Sequence, residues 1–477
     1  MELIKPFKPY LETRYEVVAD RADLYAYFLE LGVRLLKPGG RLGYICSSTF
    51  FRTGSGEPLR RYLNAKAEIE SVVDFGDLQI FEGVTTYPTI LTLRRRNGDG
   101  ADEALRFLHV NELPDDLSKV FSTASQAMPR ARLGSGSWRF ENDRLDAIRK
   151  KMAAGRKTLA EVYGPPLYGI KTGLNEAFVL TRAQRDALVM KDSRSAELLK
   201  PFLVGENLRR WHVESDDLWL IYTPKNRVDI EEYPAIRDWL LPFRDKLEKR
   251  ATKQNWWELQ QAQAAYEPSF EAAKIVFPDM SQGPKFSLDT KGYFCGNTVY
   301  FYPHEDRGLE AYLNTKAFWF LLFGHAEALR GGKWRLRLFS NHLDAMPAAS
   351  NPAESQLTRS ALYANSAATE RATTILAFLQ RAADLRGGAR LSDSFTRWPG
   401  LNFGKFLSEL RRVHSVEIPV RERDEWERYF NARKAEVETL TARIGDAEAE
   451  INDRVYRLFD LSRDEISLVE EAIAGQY

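Results

Sequence analysis

The sequence predicts an α/β protein: part of a doubly wound sheet, then an α+β unit, then a C-terminal helical arm. Three observations predict it. Residues 21–93 alternate helix, strand, helix and strand, residues 139–350 mix short apolar runs with glycine turns, and the chain past residue 350 turns alanine- and leucine-rich with helical spacing.

The first helix is read over residues 23–36. Leu24, Phe28, Leu31 and Leu35 fall three or four apart there and predict one buried face. Lys37-Pro38-Gly39-Gly40 stops it, a cation followed by residues that cannot continue a helix. Residues 41–48 are a short apolar run with the look of a buried parallel strand. A second helix at 57–66 leads to a strand at 69–75, and after Phe81-Glu82-Gly83-Val84 a further strand covers 87–93. Residues 1–110 are thus a first domain. Residues 111–138, where Ser, Ala, Pro and Gly accumulate, read as a linker.

The second unit, 139–350, opens with a short helix at 139–151. Its stretch from Tyr168 to Val179 carries Gly169, Gly173 and Asn175, which suit a tight hairpin between two strands. In the helical region, 351–477, a pattern at 359–386 is broken by "RGGARLSDSFTRWPGLNFG". Then Trp426, Phe430, Val437, Leu440, Ile444, Ala447 and Ile451 alternate by four and three, with Arg433 the polar exception. This seam is expected to pack on its own chain in preference to forming a dimer interface.

With 477 residues the chain can hold two or three domains with sizeable cores. Lys and Arg number 68 against 67 Asp and Glu, so the net charge points to no partner and any nucleic-acid surface must come from local clusters. Cys46 and Cys295 lie in apolar runs, too sparse for a disulfide framework, and the six histidines offer no metal-ligand spacing. They read as buried thiols in a reducing cytoplasm. No apolar run reaches the length of a membrane span and no signal peptide is evident, so a soluble cytoplasmic protein is expected.

"DLYAYFLELGVRLLKPGGRLGYICSSTFF" followed by "VVDFGDLQIFEGVTTYPTILTL" resembles the second half of the catalytic domain of adenine-specific DNA methyltransferases, in the TaqI-like and type IIG restriction–modification family. "YGIKTGLNEAFVL", "LLKPFLVGENLRRW", "AKIVFPDMSQGPKFSLD" and "YLNTKAFWFLL" resemble, in order, that family's TaqI-like target-recognition domain, and "INDRVYRLFDLSRDEISLVEE" its C-terminal helix. The resemblance implies a partial methyltransferase sheet and S-adenosylmethionine as cofactor. It implies methyl transfer to the exocyclic amine of a flipped adenine in duplex DNA. Phe28 matches the aromatic that packs on the cofactor adenine, with Tyr25 and Asp23 beside it, and Phe81 matches the aromatic that stacks on the target base. The alternative for both phenylalanines is an ordinary core position.

The family's cofactor-binding glycine turn and its Asn-Pro-Pro-Tyr-type catalytic tetrapeptide have no match in this sequence. Gly54-Ser55-Gly56 follows no suitable strand-to-helix turn, and Gly164-Pro165-Pro166-Leu167-Tyr168 has glycine where an amide or carboxylate is required. No residue is therefore expected to be catalytic. The chain is expected to be inactive alone, completed by an N-terminal half on a separate chain or upstream of a misplaced start. The rival expectation is a non-enzymatic DNA-binding specificity subunit.

Basic and aromatic residues interleave at Arg209-Arg210-Trp211-His212, at residues 244–257 and at residues 330–337. Phosphate contacts need Lys and Arg, and glycines allow close backbone approach. Lys171, Asn175, Arg209, Arg210, Arg330, Lys333, Arg335 and Arg337 are the DNA-binding candidates; "RDKLEKR" is better read as a solvated helix face. Pro278-Asp279 with Asp289-Thr290-Lys291 imitates the spacing of a nuclease metal site. The same residues fall where the target-recognition domain carries a similar stretch with no nuclease role, so no metal site is expected.

Overall fold

The structure is a computed structural model that describes residues 4–19, 22–76, 78–82, 86–98, 104–110, 112–326, 328–329, 335–349, 355–385, 387 and 391–474. It divides into two compact units. One comprises Met1–Gly155, Phe320–His342 and Ser462–Tyr477, the other Arg156–Trp319 and Leu343–Leu461.

The first unit contains, in order, α1 (Lys8–Arg14), α2 (Leu24–Leu35), β1 (Arg41–Ser47), α3 (Glu57–Lys66), β2 (Ala67–Asp74), β3 (Pro88–Arg95), β4 (Ala104–His109), α4 (Leu117–Ala124), β5 (Gln126–Pro129) and α5 (Asp143–Ala153). The sheet order is β1-β3-β2-β4-β5. β3 runs antiparallel to both β1 and β2, while β2 and β4 are parallel, so β1, β2 and β4 point the same way. The expectation of a buried parallel strand at β1 is corrected: β1 is a sheet edge whose residues alternate between exposed and half-buried, and its neighbour is antiparallel. The cause lies in the return from β2 to β3. Its described residues form no helix, and a parallel neighbour would need a crossover, usually helical.

Asp23 caps α2 by accepting from the Leu24 N–H, and the helix buries Ala26, Tyr27, Leu29, Glu30 and Val33. The expected buried face is again corrected. Leu24, Phe28, Leu31 and Leu35 are 41, 54, 37 and 76% exposed. The helix has two apolar faces, and packing chooses between them. A methyl added at Gly32 would meet Leu42 Cδ2, the end of a flexible side chain, at 2.8 Å, so α2 packs closely on β1 at this point. Glu30, fully buried, accepts from the Glu16 and Val17 N–H groups at 2.9 and 3.0 Å and pairs with Arg34, which fixes the sheet-facing side.

Residues 113–137, expected between domains, carry α4 and β5, the latter extending the sheet beside β4. Just beyond them Trp138 is buried with Phe50, Phe51 and Phe140, and its N–H bonds the Phe51 carbonyl at 2.7 Å.

The second unit contains β6 (Leu167–Tyr168), β7 (Val179–Leu180), β8 (Leu199–Leu203), β9 (Leu218–Ile221), β10 (Lys274–Pro278), β11 (Met280–Ser281), β12 (Ser287–Asp289), β13 (Phe294–Cys295) and β14 (Val299–Tyr302). One sheet has the order β12-β10-β14-β6, the other β13-β8-β9-β7, and a shared core joins them through Phe178, Phe202, Phe270, Phe294 and Phe301. The hairpin expected around Gly173 is not formed, since β6 and β7 belong to different sheets. Gly173 takes φ +82°, the Thr172 hydroxyl donates to Asn175 Oδ1 at 2.6 Å, and the helical turn Asn175–Phe178 follows. That side-chain bond sends the chain into a turn of helix where two glycines alone had suggested a reversal.

The helices Ser355–Asp384 and Arg423–Leu458 pack on each other. Ser360 bonds Glu450 and Thr374 bonds Glu436, so the pair is antiparallel. Phe430, Val437, Leu440, Ile444, Ala447 and Ile451 are buried, as the seam predicts; Trp426 is only partly so.

Candidate functional site

The carboxyl end of β1 and the first turn of α2 meet in the first unit. The strand ends in Ser47, whose hydroxyl donates to Thr49 Oγ1 at 3.1 Å. Tyr25 Oη lies 3.1 Å from the same Thr49 oxygen, and its ring centroid is 5.9 Å from that of Phe50. Burial pushes the Tyr25 phenol up to about 12, with the Thr49 bond pulling the other way, so the group stays protonated at neutral pH. Burial likewise pushes the Cys46 thiol to about 12, which removes it as a thiolate nucleophile.

Asp23 is exposed at the helix start. Phe28 projects from the exposed face of α2, in line with Leu24, Leu31 and Leu35. Phe81 is 44% exposed in the loop that follows β2. Neither phenylalanine is a core residue of its unit. Chemically, this part of the molecule offers flat apolar contact and neutral hydroxyls. Among the described residues no cluster of His, Cys, Asp or Glu could hold a metal ion. Thr49 and Glu30 went unrecognised in the sequence. The polar run Ser47-Ser48-Thr49 directly after an apolar strand was the available signal for the first; a carboxylate alone in an apolar helix was the signal for the second.

The basic candidates are dispersed. In the second unit Lys171 and Asn175 are exposed. Arg209 is ion-paired with Glu214 at 2.9 Å. Arg210 is held by Glu448 at 2.9 Å and by the Asn314 carbonyl, and so serves the packing of the long helix Arg423–Leu458. In the first unit, Arg335 and Arg337 lie on a short strand, Arg335–Arg337, paired with Ala328–Leu329. Arg335 is exposed; the Arg337 guanidinium lies 5.2 Å from the Phe339 ring. Arg330 and Lys333 lie outside the described residues.

The nuclease-like spacing resolves into architecture. Asp289 is buried, pairs with the equally buried Lys274 at 2.6 Å, and accepts from the Lys291 and Tyr293 N–H groups at 2.8 and 2.9 Å. Three of its roughly four acceptor sites are already taken, and its charge is neutralised by Lys274, so it is committed to the fold before any ion arrives.

A family model described as "Eco57I restriction-modification methylase" matches residues 2–81, and a second, "Domain of unknown function (DUF8810)", matches residues 350–455. The type II methyltransferase M.PaeR7I of Pseudomonas aeruginosa is 24% identical over 355 residues, 68% of this chain and 58% of the relative. The type II methyltransferase M.BstVI of Geobacillus stearothermophilus is 22% identical over 367 residues, 70% of this chain and 62% of the relative. The chain is thus similar to type II DNA methyltransferases of restriction–modification systems. It spans about three fifths of the length of these two methyltransferase relatives. The type II restriction enzyme and methyltransferase RM.Eco57I of Escherichia coli is 27% identical over 169 residues, 35% of this chain and 16% of that protein. Among solved structures, the type IIL restriction–modification enzyme MmeI in complex with DNA aligns over 95% of this chain and 52% of its own, with TM-score 0.49 and 12% identity.

Proposed function

We propose that this chain is the target-recognition portion and part of the methyltransferase sheet of an adenine-specific DNA methyltransferase in a restriction–modification or defence system, close to the type IIG architecture. The supporting observation is the similarity to type II methyltransferases over 68–70% of the chain, which runs through both units. On this reading residues 1–110 belong to the methyltransferase domain, 139–350 to target recognition and 351–477 to the helical arm. Methyl transfer uses S-adenosylmethionine, and the target adenine leaves the stack at a cost of about a few kcal/mol, partly recovered by stacking.

Phe28 offers the surface for the cofactor adenine, with Tyr25 and Asp23 at its base, and Phe81 offers the surface for the flipped base. Arg335, Lys171, Asn175 and Arg209 are the described residues we assign to DNA, joined by Arg330 and Lys333. The 477 residues contain neither a cofactor-binding glycine turn nor an Asn-Pro-Pro-Tyr-type tetrapeptide. We assign those roles to polypeptide that completes the sheet beyond β1, whether continuous with this chain or separate. The free edge of β1 and the apolar face of α2 are the surfaces such a segment would cover.

Co-expression with the adjacent open reading frame that encodes such a tetrapeptide tests the reading. Tritiated methyl should then pass from S-adenosylmethionine to duplex DNA, and sequencing should locate N6-methyladenine in one recognition sequence. Methylation of cytosine, or none with any adjacent frame or upstream extension, would sink it.

A further inference from the structure

The first unit holds a second feature that the methyltransferase reading leaves unused. A cleft of about 340 Å³ opens among Arg52, Asp74, His109, Arg139, Glu141 and Arg149, with Phe107, Phe140 and Phe323 on its walls. Its place follows from the sheet. Asp74 and His109 are register partners at the carboxyl ends of the parallel strands β2 and β4, and Arg52 follows β1 by one short 3-10 turn. Ligands of open α/β sheets collect at that end of the strands.

The charges in the cleft divide into those already satisfied and those not. His109 Nδ1 lies 3.4 Å from Asp74 Oδ2, and its Nε2 is 2.8 Å from the Phe140 carbonyl. Arg149 spends its Nε and Nη2 on Glu141 at 3.2 Å and its Nη1 on the Phe320 carbonyl. Glu471, at the exposed rim, accepts from the Ser467 hydroxyl. Two cations are left. Among the described residues the Arg52 guanidinium donates no hydrogen bond; its Nη1 is buried, the Phe323 ring lies 5.8 Å away, and the Asp74 and Glu141 carboxylates attract it only through space. Arg139, half-buried, makes no hydrogen bond or ion pair among the described residues. Burial, with the charges of Arg149 and Arg52, holds Arg139 down to about 10, so these guanidinium groups repel one another across the space.

A buried donor without an acceptor is costly, and a buried charge without a partner more so. Two guanidinium forks with unspent donors around one cleft have the geometry that an oxyanion with several acceptor oxygens satisfies. We propose that this cleft binds a phosphate group, clamped by Arg52 and Arg139, with the aromatic walls taking the sugar or base that carries it. The group has two sources, a DNA backbone or a free nucleotide. This proposal does not depend on methyl transfer, so either can fail without the other.

The experiment uses the full chain with inorganic phosphate as probe, followed by calorimetry and by the thermal midpoint at constant ionic strength. Phosphate should bind saturably and raise the midpoint, whereas chloride should not. Arg139→Gln and Arg52→Gln should each weaken binding about tenfold or more, as loss of charged hydrogen bonds does. Arg182→Gln, which removes an exposed ion pair with Asp217 in the other unit, should leave it unchanged. If Arg52→Gln fails to fold, Arg139→Gln with Arg139→Lys as the charge-preserving comparison carries the test. Displacement of phosphate by a short duplex would assign the source to DNA; tighter binding of dAMP with no displacement by duplex would assign it to a nucleotide. No saturable phosphate binding to the folded wild type, or equal binding by Arg139→Gln, would overturn the site.

Discussion

Lys274 and Asp289 show at the scale of single residues how a catalytic spacing can be structural. Both are buried, and removing the carboxylate would leave an ammonium uncompensated. Asp289→Ala should therefore cost about 3–5 kcal/mol of stability, read by urea denaturation, while magnesium-dependent plasmid nicking stays absent in wild type and variant alike. A nuclease would behave in the opposite way, keeping its fold and losing cleavage. Glu310 supplies a pH test at the same scale. Burial raises its carboxyl from the usual 4.5 to about 7, with Arg307 and the Leu288 N–H opposing. A raised folded-state pKa contributes stability that is full below the unfolded value and is lost as pH rises through the folded one. Stability should thus decline between about 4.5 and 7, and Glu310→Gln should flatten that part of the curve in thermal melts across pH.

At the scale of elements, the two long helices and α2 make contrasting predictions. Leu440 is buried at 2% exposure in the antiparallel pair, so Leu440→Ala should cost about 2–5 kcal/mol. Leu35, at 76% exposure on α2, should tolerate Leu35→Gln within about 0.5 kcal/mol in this chain. In a complex with the segment that completes the sheet, the same change should weaken association, measured by co-purification or by calorimetry between the two polypeptides. Unweakened association would remove α2 from the proposed interface. The heptad-like seam was legible because a helix repeats its buried positions at fixed spacing. The side of α2 that faces the sheet was not legible, because Leu24, Phe28, Leu31 and Leu35 satisfy the same periodicity as a buried stripe. What decided it was the close approach at Gly32 and the bonds that Glu30 makes to a segment more than ten residues away.

For the molecule as a whole, the proposed DNA contact rests on cations spread over the chain with a net charge of only +1. Binding should be local and strongly salt-dependent, since each neutralised phosphate releases a counterion. Fluorescence anisotropy with a duplex should show affinity falling steeply with added salt, and Arg335→Ala should cost about 1–3 kcal/mol if it reads a base, less if it touches only phosphate. No binding at low salt would end the DNA assignment. The sequence by itself determined the helix–strand alternation over residues 21–93, the long helical seam and the likeness to type II methyltransferases, because each is written in local periodicity or in ordered motifs. Only the tertiary structure decided that β1 is an edge, that Arg210 and Asp289 are internally spent, and that Arg52 and Arg139 share one cleft without a hydrogen bond to any other described residue. Those outcomes depend on which distant residues meet, and no spacing along the chain encodes a partner that lies 87 residues away, as Arg139 does from Arg52.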